Sequence, residues 1–241
     1  MRPIFVISFF SIVFFSSCHF IGRDRIKGDG NVITQRRSIS EFKSVDVSSS
    51  ILLYVRQDSA FSVKVEADNN LQQYIETYKD NDGVLHIHQR DNTNLDGSKK
   101  IKVYVTAPLF EQLEASGACN IIGENGLSST GIIHIQMSGA SDADLEIKAP
   151  KVMVDLTGAS SVTLRGQTKD FSVDGSGSSD INCFGLMTEN SDIELSGAGN
   201  AEVFASVKLD VHVSGAADIK YKGNAIVNKE ISGAGSVKKV D

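Results

Sequence analysis

From about residue 110 onward the chain alternates apolar and polar residues, and the alternation breaks and restarts at one recurring triplet. Its copies are Ser116-Gly117-Ala118, Ser138-Gly139-Ala140, Thr157-Gly158-Ala159, Ser176-Gly177-Ser178, Ser196-Gly197-Ala198, Ser214-Gly215-Ala216 and Ser232-Gly233-Ala234, spaced by 22, 19, 19, 20, 18 and 18 residues. Two places before each Ser or Thr stands a polar residue: Glu114, Gln136, Asp155, Asp174, Glu194, His212 or Glu230. Three places before it the residue is apolar in six copies (Leu113, Ile135, Val154, Val173, Ile193, Val211), and five places after it apolar residues return from Ile121 to Val237. A period of two on both sides of the triplet predicts strands with one face inward and excludes helices here. Recurrence about every 19 residues is most economically satisfied by stacking each repeat on the last, with equivalent residues about 4.8 Å apart in parallel ladders. The expected fold is all-β, a single parallel β-solenoid over residues 32–241. A propeller needs about 40 residues per blade, and a sandwich does not require identical turns.

The glycine in every copy fits a corner where the backbone passes through positive φ or where neighbouring backbones crowd. None of these glycines completes a phosphate-binding pattern. Four places after the Ser lies a second polar column, Asn120, Asp142, Ser161, Asp180, Asn200, Asp218 and Ser236, in which no two successive copies carry Asp. Stacked like charges would repel, whereas an amide or hydroxyl between carboxylates bonds across the ladder. This reads as a structural ladder rather than a calcium column, which needs several converging carboxylates.

Between about Val32 and Pro108 the triplet is absent, yet alternation persists in Leu53-Tyr54-Val55, Phe61-Ser62-Val63-Lys64-Val65 and Ile101-Lys102-Val103-Tyr104-Val105, and Val47-Ser48-Ser49-Ser50-Ile51 is a degenerate copy. The segment Asp68 to Tyr78 opens with good N-cap residues and spaces Leu71, Tyr74, Ile75 and Tyr78 at helical intervals, which predicts one short helix.

The first residues have a different character. Arg2 precedes the apolar run Ile4 to Phe15, and Ser16-Ser17-Cys18 follows. This is the order of a secretory signal, and the run is shorter than the roughly 20 apolar residues that span a bilayer. Phe15-Ser16-Ser17-Cys18 resembles a bacterial lipobox, so residues 1–17 are expected to be removed and Cys18 to carry lipid. Residues 18–31, with Gly22, Gly28 and Gly30 among charges, then read as a tether. His19 and the absence of an acidic cluster beside Cys18 point to an outer-membrane anchor on the periplasmic side rather than the cell surface.

Removal of residues 1–17 leaves 23 basic and 30 acidic residues, a net charge of −7. That sign argues against nucleic acid as a partner. The segments Lys100-Ile101-Lys102-Val103-Tyr104-Val105-Thr106-Ala107-Pro108 and Leu113-Glu114-Ala115-Ser116-Gly117-Ala118, with the serial triplets and lipobox, resemble the head-GIN family of auto-transporter adhesins. The resemblance implies a right-handed β-helix-like fold and an adhesive or ligand-binding role, and brings no catalytic residues with it.

Candidate chemistry is sparse. His86 and His88 share one strand face without a third ligand at suitable spacing, and His134 and His212 fall in the polar phase, so no metal site, cofactor or catalytic group is assigned. Asp58-Ser59-Ala60 resembles a short O-glycosylation motif. The expected function is a non-catalytic envelope module that is held to the membrane by lipid and binds a polymer, glycan or protein. The alternatives are a carbohydrate-processing β-helix enzyme with a cleft near residues 66–100, and a spacer without ligand.

Overall fold

The computed structural model describes residues 24–241; the signal segment and Cys18 lie outside the described residues. The expected solenoid is present. One ladder runs through the strands Ser44–Ser49, Gln112–Gly117 and Ile132–Met137, the second halves of Asp142–Gly158, Ser161–Gly177 and Asp180–Gly197, and then Lys208–Gly215 and Ile226–Gly233, all parallel. A second parallel ladder starts beyond each corner and runs from Ile51–Gln57 through Asn120–Gly123 to Asn200–Phe204, Asp218–Lys222 and Ser236–Lys239. The apolar column is the core: Leu113, Ile135, Val154, Val173, Ile193 and Val211 stack in register and are at most 1% exposed. Each such side chain stabilises the stack by about 1.5–3 kcal/mol through burial. Gly175 interrupts the adjoining inward column because a Cβ there would lie 2.5 Å from a methyl of Leu195, which fills the space from the next coil.

Each triplet glycine stands at a corner with positive φ, from +81° at Gly139 to +132° at Gly233. The corner carbonyl accepts the amide of the next coil, as in Ser178 N to Gly158 O at 2.7 Å and Ala198 N to Gly177 O at 2.8 Å. Ser48-Ser49-Ser50 is an eighth corner: Ser48 and Ser49 pair with Ser116 and Gly117, and Ser49 adopts φ +87° without being glycine. The spacing of 20 is met by a bulge between Thr163 and Arg165, opposite which the strand Asp180–Gly197 carries one extra residue.

A column not anticipated from the sequence lies three places after each corner Ser. Ser141, Ser160 and Ser179 are buried, and their hydroxyls donate to the carbonyls of Ser138, Thr157 and Ser176 at 3.1, 3.1 and 3.3 Å. Cys119 occupies the same position in its coil, with Sγ 3.4 Å from Ser116 O.

The N-terminal section departs from expectation in three ways. It is not wholly parallel: Val32–Arg37 and Ile101–Ala107 flank Ser62–Asp68 antiparallel, and Ile75–Lys79 pairs antiparallel with Val84–Gln89. The expected helix is only a 3₁₀ segment, Asn69–Tyr74, because Ile75 begins a strand; Asp68 makes no cap and its carboxylate instead accepts Gly30 N, Ser98 N and Ser98 Oγ at 2.7–2.8 Å. The expected tether is also partly folded, since Asp24–Lys27 pairs in parallel with Thr93–Asp96 and Gly28 N donates to Asp96 O at 2.9 Å.

A polar face and its relatives

The parallel register converts sequence spacing into rows on the outside of the first ladder. Successive partners place His86, Asp46, Glu114, Gln136, Asp155, Asp174, Glu194, His212 and Glu230 in one column. A parallel column two residues earlier holds Gln112, His134, Met153, Ser172, Asp192, Asp210 and Asn228. Side chains two apart on a strand share a face, so the columns form one surface that is polar apart from Met153. The corner residues Thr157, Ser176, Ser196, Ser214 and Ser232 border it, also in register.

Near the N-terminal end this surface is internally paired. His86 lies between two carboxylates, Nδ1 2.9 Å from Asp46 Oδ2 and Nε2 2.8 Å from Asp80 Oδ2, and Tyr78 stacks on its ring at 5.0 Å. A neutral imidazole donates from one nitrogen only, so both contacts are satisfied as donors by the imidazolium. Burial opposes that charge as the largest single effect, but Asp80 and Asp46 together outweigh it and hold His86 above its ordinary value. Asp80 is correspondingly held below the usual carboxylate range by His86 and by the amide of Val84. His88 sits 3.3 Å from Glu76, so the two histidines that share a strand face are each taken up by carboxylates. Burial raises Glu114, aided by Asp46. Further along, His134 Nε2 meets Asp155 at 2.7 Å and Gln112 donates to Gln136 at 2.7 Å.

Towards the C-terminal end the pairing thins. Asp210 is held by Lys208 and by Asn228, but among the described residues the carboxylates of Asp174, Asp192 and Glu194 make no hydrogen bond or ion pair. All three are exposed, and Asp174 and Glu194 line, with His212, an open depression of about 410 Å³ that reaches Glu230 and Ser232. Asp192, Glu194 and His212 converge closely enough for one donor atom from each to lie within 4.8 Å of the others. The signal was present in the spacing: an acid pair two residues apart and a histidine 18 residues beyond the second, which is one coil.

The second ladder carries the anticipated polar column. Asn120 donates to Asp142 at 3.1 Å, Asn200 to Asp180 at 3.0 Å and Ser236 to Asp218. Ser59 is exposed in the turn after Ile51–Gln57, its amide bonded to Asp58 Oδ1 at 2.7 Å. In the region proposed for an enzymatic cleft lies a polar depression of about 420 Å³ bordered by Ser49, Arg90 and Asp91. Among the described residues no helix is long and apolar enough to cross a membrane.

A family model described as "Putative auto-transporter adhesin, head GIN domain" matches residues 41–225, well over half of the chain. The chain belongs to this family. The head-GIN match spans every corner from Ser49 to Gly215 and stops just before the last coil. A crystal structure of a putative adhesin from Bacteroides fragilis superimposes with a TM-score of 0.81 at 20% identity, covering 89% of this chain and all of the other. A putative lipid binding protein from Parabacteroides distasonis gives 0.72 at 23% identity, and a putative adhesin from the same species 0.68 at 25%; each covers 90% of this chain and all of its own. No curated protein matches the sequence.

Proposed function

We propose that this head-GIN protein is a non-catalytic binding module of the cell envelope, anchored through lipid on Cys18, that presents its polar face to an envelope polymer, glycan or protein. The reading rests on one observation: the face carries in-register rows of carboxylates, hydroxyls and amides around an open depression. A repeating row of fixed polar groups suits a repeating or extended partner better than a single small substrate, which is ordinarily enclosed over most of its surface. The adhesin description of the family agrees with this role. The lipobox Phe15-Ser16-Ser17-Cys18 supports the anchor, and the periplasmic side of the outer membrane is the proposed location.

Two experiments test this. Cells fed labelled fatty acid should label the parent and not Cys18→Ser; equal labelling would remove the anchor. The purified protein and a variant with Asp155→Lys and Glu114→Lys should be used to recover ligands from envelope extracts, with proteomic and glycan profiling. A glycan or protein retained by the parent and lost by the variant supports the face. Equal retention by both moves the ligand elsewhere, and retention of nothing by either leaves a spacer.

A further inference from the structure

Asp192 and Glu194 are alternate residues of the strand Asp180–Gly197 and therefore project from the same side of the sheet. His212 stands in register with Glu194 on the next coil. Two separate observations distinguish this trio from the many other surface carboxylates. The first is the imidazole: His86, His88 and His134 each lie 2.7–3.3 Å from a carboxylate, whereas His212 Nε2 approaches only Glu230 Oε2, at 3.7 Å, too far for a hydrogen bond. Its nitrogens are thus available as ligands. The second is compensation. Elsewhere the stacked acids meet an amide, a hydroxyl or a cation across the ladder, as Asp142 meets Asn120, Asp170 meets Asn190 and Asp144 meets Arg165. Here Glu194 stacks on Asp174 with Asp192 alongside, and the nearby Lys208 bonds to Asp210.

The geometry points to a site for a divalent transition-metal ion, Zn²⁺ foremost, held by Asp192, Glu194 and His212 with Glu230 within reach of a fourth position. One imidazole with two carboxylates is a nitrogen and oxygen donor set suited to Zn²⁺ and its neighbours, whereas Ca²⁺ and Mg²⁺ favour oxygen alone. Tetrahedral coordination with bonds of about 2.0–2.2 Å places donor atoms roughly 3.4 Å apart. Donor atoms of these exposed side chains already lie within 4.8 Å of one another, close to that spacing. The ion would neutralise the uncompensated acids and tie two successive coils together.

The test is calorimetric titration of the metal-stripped full-length protein with Zn²⁺ to about 100 µM, a range that saturates a micromolar site. Co²⁺ absorption and the imidazole NMR signals serve as independent readouts. One ion per chain is expected, with His212 resonances shifted and those of His86 and His134 unmoved. His212→Ala and the pair Asp192→Asn with Glu194→Gln should each weaken binding more than tenfold, while His134→Ala should not. Asp192, Glu194 and His212 are exposed, and unchanged melting of the metal-free variants checks that they fold. Absence of Zn²⁺ uptake, uptake equal in the variants, or displacement by equimolar Ca²⁺ would overturn the assignment. Because the readout uses metal and protein alone, it stands or falls separately from recognition of an envelope ligand.

Discussion

Replacing Gly177 by Ala should cost the solenoid a measurable part of its stability although the added group is one methyl on an exposed corner. Gly177 has φ +93°, and a Cβ built there lies 2.5 Å from Gly158 O and 3.2 Å from that residue's carbonyl carbon and amide nitrogen. The left-handed conformation alone costs an L-residue about 1–2 kcal/mol. Relief of the contact requires the two corners to separate, which weakens the 2.7 Å bond from Ser178 N to Gly158 O, a further loss of about 1 kcal/mol. Against this, alanine restricts the unfolded chain and returns about 0.4–1 kcal/mol. The net cost is therefore about 2 kcal/mol, and at about 2–4 °C per kcal/mol for a chain of this size the melting temperature should fall by roughly 4–8 °C. Gly131→Ala is the control, because its Cβ would meet nothing nearer than Ser129 Oγ at 3.8 Å and its φ is not positive. Thermal melting by circular dichroism compares the two, and hydrogen exchange at Ser178 reports the corner directly, where protection should drop in Gly177→Ala. If both variants melt together with Ser178 equally protected, the corner glycines are not required by crowding and the account of the repeat is wrong.

Other outcomes follow from the same geometry. Because His86 is raised above its ordinary 6.5, its contribution to stability is complete below that value and is lost as pH rises through the raised one. Asp80, lowered from 3.8, contributes fully above 3.8 and loses its part as pH falls through the lowered value. Melting temperature against pH should therefore decline on the alkaline side more steeply in the parent than in His86→Gln, and superimposable profiles would show that the clamp does not titrate with folding. Cys119 and Cys183 are buried and unpaired, and burial pushes the Cys183 thiol up to about 12. Neither should react with a thiol reagent until denaturant is added, and a Cys119–Cys183 bridge in a non-reducing peptide map would contradict the register. Lys229 pairs with the inward Val211 yet is exposed on the edge strand Ile226–Gly233, and Lys239 lies exposed on the adjoining edge. Lys229→Val with Lys239→Leu should yield concentration-dependent end-to-end oligomers by light scattering, since edge lysines oppose strand addition; a variant as monomeric as the parent would show that they guard nothing.

The repeat is legible because a parallel stack writes its register into the chain: residues spaced by one coil become neighbours, so Glu194, His212 and Glu230 align from their spacing alone. The corner glycines and the Asn-Asp alternation are readable for the same reason. The N-terminal section is harder because antiparallel pairing has no fixed spacing, and the helical intervals of Leu71 and Ile75 are equally met by a 3₁₀ turn running into a strand, with both residues buried. The first corner shows in the sequence only as a degenerate copy, because Ser49 keeps the glycine conformation without glycine. The buried serines at 141, 160 and 179 escape notice because a serine near a turn ordinarily reads as surface, and only the carbonyl three residues earlier explains its burial. The convergence of His212 with two acids is written in the spacing but spread over two columns, Asp192 in one and Glu194 with His212 in the other, which meet because alternate residues of a strand share a face.

The corner column also makes the length of this molecule change in whole steps. Excising residues 198–215 would join Gly197 to Ala216, restore a Ser-Gly-Ala corner and shorten the stack by one rise of about 4.8 Å. Its side effects would be the loss of one member from each row and the placing of Asp218 directly over Asp180, where Asn200 had kept them apart. A deletion of half that size would instead leave a corner glycine facing a strand and turn an inward column outward. Divergence in size within the family should therefore proceed by entire turns, altering how far the face extends while leaving the chemistry displayed at each remaining turn intact.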